Sequence, residues 1–152
     1  MRAALIAPSL IAPSLIIAHL ALIAPLLATP ALAQEAPAIE AMNEYMMFSG
    51  YEDGIILPEQ IDREVFDSVL FVDTRNAEQF DHETIPGAVN IEWREVLDRI
   101  DEIPVDRKTV VFCNTGTLSA QAAFALRVAG RKNVVVLQTG LNGWREWAAY
   151  KP

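Results

Sequence analysis

Three short runs, Val69-Leu70-Phe71-Val72, Thr109-Val110-Val111-Phe112 and Val134-Val135-Val136-Leu137, set the tightest limit on what this chain can fold into. None of them alternates apolar with polar residues, so none reads as a strand with one face in water. Continuous apolar runs rich in β-branched residues are the pattern of strands covered on both faces. The stretches between them carry helical spacing. Strands that alternate with helices build parallel sheets, because a parallel connection has to cross back over the sheet. The expected fold class is α/β, a parallel sheet flanked by helices on both faces.

The remaining elements follow from the same pattern. Ile55-Ile56-Leu57 reads as a short strand, and Pro58 opens a helical stretch to about Phe66, as proline in a first turn allows. A helix is expected near Ala77–Phe80. Pro86-Gly87 is a turn leading into a strand at Ala88–Ile91. Arg94–Ile100 reads as a helix in which Val96, Leu97 and Ile100 share one face. A helix over Ser119–Ala129 closes at Gly130, and a last one covers Leu141–Tyr150. Trp144 and Trp147 are expected in the core. Arg127, Arg131 and Lys132 read as a solvated helix end beside the C-terminal dipole. Before the domain, residues 34–54 form an arm with a short helix near Ala38–Met47 and a turn at Gly50–Gly54. Its Met42, Tyr45, Met46, Met47 and Phe48 offer apolar cover to the core.

The segment from Ala3 to Ala33 holds no acidic residue, Lys or Arg, and Arg2 precedes it. It ends in Ala31-Leu32-Ala33, small residues where signal peptidase requires them, so cleavage is expected after Ala33. An uncleaved anchor is the alternative, since roughly 20 apolar residues span a bilayer. Against it stand Pro8, Pro13, Pro25 and Pro30, which interrupt a helix, and the lack of a basic cluster after the segment. The organisation expected is a signal peptide at 1–33, an arm at 34–54 and one α/β domain at 55–150. The location expected is periplasmic or secreted, with no stable membrane insertion once the leader is removed. With 20 acidic and 12 basic residues the chain is no candidate for nucleic-acid binding, which needs concentrated positive charge.

The single cysteine, Cys113, then draws attention, because an exported protein normally pairs its thiols. It stands at the carboxyl end of the Thr109–Phe112 strand, where open α/β sheets gather their ligands. The loop Asn114-Thr115-Gly116-Thr117-Leu118 follows, with Gly116 free to take a positive φ, and runs into a helix N-terminus. Successive backbone N–H groups of such a loop converge on one point and make an anion site. A thiol held there should ionise below about 8.5. Small residues in the helix (Ala120, Ala122, Ala123, Ala125) would let it pack closely on the sheet. From the residues alone, a cysteine that merely caps a core strand fits equally well.

The segment Cys113-Asn114-Thr115-Gly116-Thr117-Leu118-Ser119 resembles the active-site loop of rhodanese-like sulfurtransferases, in which a cysteine at a strand end carries sulfur as a persulfide. Other stretches match that family's motifs in order: Val72-Asp73-Thr74-Arg75 with Glu78 and Phe80, Ile85 to Ile91, and Leu137 through Gly140 to Trp144. The resemblance implies the rhodanese-like fold, a five-stranded parallel sheet between helices. It also implies sulfur transfer from thiosulfate or a persulfide donor, through a Cys113 persulfide, to a thiol (a protein thiol included) or cyanide. Asn114, Thr115, Gly116, Thr117, Leu118 and Ser119 would cradle the anionic sulfur. No organic cofactor is implied, and no metal: His82 is the one histidine beyond the leader, too few ligands for zinc.

Two departures bear on the activity. Leu118 occupies a loop position where many active relatives carry arginine, and no Lys or Arg occurs from Cys113 to Gln121. Capture of an anionic donor should weaken accordingly, which leaves a sulfur-carrier or protein-binding module without turnover as the alternative. Thr84 stands where the family has a histidine, with His82 two places earlier. Asp73 and Arg75 read first as a hydrogen-bonded tie between loops, with Arg75 also a candidate for positive charge near Cys113. A phosphatase of the cysteine-loop type would need a longer loop ending in arginine, and a cysteine hydrolase a histidine positioned as base.

Overall fold

The computed structural model describes residues 32–152 apart from residue 52. The expected leader therefore lies outside the described residues up to residue 31. Its expected cleavage position, after Ala33, falls in the first turn of helix α1 (Leu32–Phe48). Next come β1 (Ile55–Ile56), α2 (Arg63–Ser68), β2 (Leu70–Asp73), α3 (Ala77–His82) and β3 (Val89–Asn90). The chain continues through β4 (Thr109–Phe112), α4 (Thr117–Val128), β5 (Val134–Leu137) and α5 (Gly140–Trp147). The five strands form one sheet in the order β1-β5-β4-β2-β3, every pair parallel. β4 is the central strand, and all four of its residues are buried.

Period-two alternation divides the core into two layers. Phe71, Val110, Phe112 and Leu137 point to one face, where they meet Leu141 and Trp144 of α5 and Phe66 of α2. Val72, Val111 and Val134 point to the other, against Ala122, Ala123 and Leu126 of α4 together with Val96 and Ile103. Phe66, Phe71 and Trp144 pack with ring centroids 5.1 to 5.9 Å apart. Apolar strands without alternation thus have a direct cause: neither face is left in water.

Several expected elements are redrawn. The stretch expected as one helix from Pro58 to Phe66 is a 3-10 turn at Pro58–Gln60 and then α2. Ile61 is drawn into the core between them, and the Val65 amide donates to Asp62 Oδ1 at 2.9 Å, restarting the helix. Leu57 lies outside β1. No regular helix forms over Arg94–Ile100. The backbone turns repeatedly there and ends in a 3-10 turn at Ile100–Glu102, because Trp93 N–H is tied to the Thr74 carbonyl and the Arg99 guanidinium reaches back to the Asn90 carbonyl. Val96 is therefore buried while Leu97 is 49% exposed, so the expected shared face does not exist.

α4 begins at Thr117, two residues before the expected start, and α5 covers Gly140–Trp147. Trp144 lies in the core, whereas Trp147 is 46% exposed. α4 ends in a Schellman pair: Gly130 (φ 97°) donates to the Arg127 carbonyl and Arg131 to that of Leu126. Arg127 and Arg131 there are ties more than a solvated end, whereas Lys132 is exposed as expected. Arg127 donates to the Val134 carbonyl at 3.0 Å and lies over the Tyr45 ring, and Arg131 donates to the carbonyls of Ile103 and Ile100. α1 is longer than the expected Ala38–Met47, and it rests on α4 through an edge contact of Tyr45 with Phe124. Met46, Met47 and Phe48 are exposed, so little of the expected apolar cover is made.

The irregular segment allows a clean test. Val96→Ala should cost about 2 kcal/mol in urea denaturation, for lost burial and the cavity left behind. Leu97→Ala should stay within about 0.5 kcal/mol. Equal losses would restore the helix with a shared apolar face.

Candidate active site at the end of the central strand

Cys113 follows the last residue of β4, 3% exposed, and six residues from Cys113 to Leu118 carry the chain into α4. A loop this short can aim its amides inward only if its carbonyls are satisfied outside. α5 supplies that condition. Its Leu141 N–H donates to the Cys113 carbonyl at 2.7 Å and its Asn142 N–H to the Asn114 carbonyl at 3.1 Å. These are first-turn amides with no partner inside their own helix.

The close approach of α5 to the loop demands glycine. At Gly140 (φ 58°) a Cβ would strike the Cys113 carbonyl oxygen and sit 2.8 Å from the carbonyl carbon of Asn114. Thr139, just before it, holds φ 63°, an uncommon angle for a β-branched residue. Gly143, without a Cβ, leaves room for the Thr139 side chain. Backbone strain concentrates where α5 meets the loop.

With the carbonyls turned away, the amides face the sulfur. Burial pushes the Cys113 thiol up, but the Ser119 and Thr115 amides, the Ser119 hydroxyl and the Leu118 amide together bring it below the ordinary thiol value. Ser119 Oγ lies 3.8 Å from Cys113 Sγ and also donates to the Gly116 carbonyl at 3.0 Å. Gly116 takes φ 94° as the cap of α4, which turns the chain from loop into helix. Thr115 and Thr117 are exposed, their hydroxyls 3.2 Å apart, and Leu118 is half-buried. Of the small residues expected to seat α4, Ala122 and Ala123 are buried and Ala120 is exposed.

Arg75 does not reach the sulfur through any hydrogen bond or ion pair. Its guanidinium donates to both carboxylate oxygens of the fully buried Asp73, to the Glu83 carbonyl at 2.5 Å and to Asn114 Oδ1 at 3.0 Å. Thr84 Oγ1 donates to Asp73 Oδ2 at 2.9 Å, so the residue in the family histidine's place completes this network. Asp73 and Arg75 are the tie between loops that was expected, and Arg75 positions the loop through Asn114. His82 is exposed on the rim of a groove shared with Arg75, Asn114 and Arg145.

Sequence reasoning missed the outer part of the site: the α5 amides, Asn142, Glu83 and Arg145. Arg145 lies on α5, and its guanidinium pairs with the Glu83 carboxylate 62 residues away. No local pattern announces that pairing.

A family model described as Rhodanese-like domain matches residues 57–146. The chain belongs to the rhodanese-like family. Over 72 residues this rhodanese-like chain is 39% identical to the thiosulfate sulfurtransferase PspE of Escherichia coli, a match covering 46% of the chain and 69% of PspE. Over 96 residues it is 35% identical to the HTH-type transcriptional regulator Rv0324 of Mycobacterium tuberculosis, covering 62% of the chain and 42% of that regulator. The chain thus spans less than half of the regulator's length. A rhodanese-related protein from Thermoplasma volcanium superposes with a TM-score of 0.55 at 25% identity, covering 60% of this chain and 89% of that one.

Two outcomes follow from the cradle. Iodoacetamide reactivity of Cys113 should rise with pH to a midpoint below about 8.5, since a lowered pKa fills the thiolate form earlier. Ser119→Ala should move the midpoint upward; a midpoint at or above the free-thiol value in the parent protein would discredit the cradle. Gly140→Ala should displace the loop, raise the same midpoint and destabilise the fold by about 1–3 kcal/mol in thermal melts.

Proposed function

We propose that the protein is a sulfurtransferase acting through a persulfide on Cys113. The observation that carries this reading is geometric: a buried thiol without a disulfide partner ends the central strand, Ser119 Oγ lies 3.8 Å from its sulfur, and α5 takes up the Cys113 and Asn114 carbonyls, so that the loop amides lower the thiol's pKa. The Cys113 thiolate attacks the outer sulfur of thiosulfate or a comparable donor. A new S–S bond forms, the bond to the sulfonate sulfur breaks with its electron pair, and sulfite leaves. The anionic outer sulfur of the persulfide then takes up the same amides. A thiolate or cyanide acceptor attacks that outer sulfur, and the electron pair of the broken bond returns to Cys113. The relative named a thiosulfate sulfurtransferase supports the class of chemistry.

A second reading rests on one observation: from Cys113 to Gln121 the chain carries no Lys or Arg, and Leu118 is half-buried at the loop's end. A site without that charge captures a dianion slowly and suits sulfur arriving on a protein. In this reading the domain carries sulfur between partners without turnover of its own. For either reading we place the protein outside the cytoplasm, released after cleavage at Ala33, on the strength of its apolar leader.

Incubation with polysulfide or thiosulfate should add one sulfur atom, about 32 Da, read by intact-protein mass spectrometry and reversed by cyanide. Cys113→Ser should gain none. Absence of the adduct with every donor would refute the persulfide. An adduct that cyanide and small thiols leave in place, while one protein partner removes it, would favour the carrier.

A further inference from the structure

Beside the cysteine loop, five residues close a hydrogen-bonded ring. Arg75 donates to Asn114 Oδ1, and the Asn114 carbonyl accepts from the Asn142 amide. Asn142 Oδ1 accepts from Arg145 Nη1 at 3.1 Å, and Arg145 Nε donates to Glu83 Oε1 at 2.8 Å. The Glu83 carbonyl accepts from Arg75 and completes the circuit. This ring borders a groove of about 510 Å³, lined by Arg75, Asn114 and Arg145 with Glu78, Gln79 and His82. That is room for a small metabolite.

The two guanidiniums differ in availability. Arg75 and its partner Asp73 are 4% and 0% exposed, a pair that no ligand can enter without stranding a buried carboxylate. Arg145 and Glu83 are 46% and 41% exposed. Water already competes for that pair, so another carboxylate can replace Glu83 at little cost. The forked donors of arginine match the two oxygens of such a group.

Position relates this guanidinium to the sulfur. Leu141, which binds the Cys113 carbonyl, precedes Arg145 by four residues of α5, about 6 Å along the axis. Helical side chains lean toward the N-terminus, and the Arg145 bond to Asn142 shows that it does so. The charge therefore stands over the segment that holds Asn114, next to Cys113.

We propose that Arg145 selects the acceptor: the groove takes a small thiol bearing a carboxylate on a short spacer. Its carboxylate displaces Glu83 from Arg145, and its sulfur reaches the Cys113 persulfide. In the transfer the acceptor thiol loses its proton to solvent and its thiolate attacks the outer persulfide sulfur. The new S–S bond forms on the acceptor, the Cys113 S–S bond breaks, and its electron pair restores the Cys113 thiolate. Glu83 is the built-in competitor. Placement of Glu78 in the same lining disfavours a second acidic group on the acceptor.

This inference rests on the persulfide reading, and the two separate in one experiment. The persulfide is formed with polysulfide on the protein and verified by mass; failure there refutes the persulfide and not the selectivity. Desulfuration rates are then compared for 3-mercaptopropionate and 2-mercaptoethanol at equal thiolate concentration. The parent protein should prefer the carboxylate acceptor. Arg145→Gln should lower the ratio of the two rates about two- to fivefold, the range of an exposed ion pair, and Glu83→Gln should raise it. Equal rates for both acceptors in the parent, or a ratio that neither substitution moves, would overturn the assignment. Glu83→Gln tests it independently should Arg145→Gln fail to fold.

Discussion

Two hydrogen bonds from the first turn of α5 to the carbonyls of Cys113 and Asn114 govern the rest of the site. Backbone N–H and C=O groups point in opposite directions, so a loop that offers its amides to an anion must place its carbonyls elsewhere. In a buried loop those carbonyls cannot be left without donors. α5 meets this need with amides that its own helix leaves free. Gly140 lets the helix come near enough, and the unusual angle of Thr139 sends the chain from β5 into it. The packing of Leu141 and Trp144 against the aromatic layer then holds α5 on the sheet. A core interaction and a chemical one are thereby coupled: what keeps α5 docked also keeps the sulfur cradle open.

The site is built almost wholly from backbone dipoles. A thiolate needs its negative charge stabilised, and converging amides do this without a cation beside the sulfur. The cationic groups stand one shell away, each with a carboxylate of its own. Arg75 is locked to Asp73 and serves the loop through Asn114, while Arg145 holds Glu83 at the surface.

Legibility in the sequence followed how local each cause was. The strands were readable because burial on both faces imposes a continuous apolar run, and β2, β4 and β5 match the three runs closely. The C-terminus of α4 was readable because Gly130 performs a local backbone task. The reading failed at 94–100, where apolar spacing alone suggested a helix and long-range ties from Trp93 and Arg99 gave a series of turns. It failed at Trp147 too: that residue ends α5, and its ring is half in water although the spacing from Trp144 suggested a shared buried face.

The amino-acid order on its own determined the α/β class, the place of Cys113 after a buried strand, and the polar glycine-containing loop that follows it. These are contacts between near neighbours in the chain, and residue type and spacing suffice to specify them. Only the tertiary structure decided which amides reach the sulfur, that Arg75 grips Asp73 and Asn114, and that Arg145 meets Glu83. Those pairings join residues brought together by the crossovers of a parallel sheet, and their donors and acceptors carry no mark in the sequence of the partner they will find.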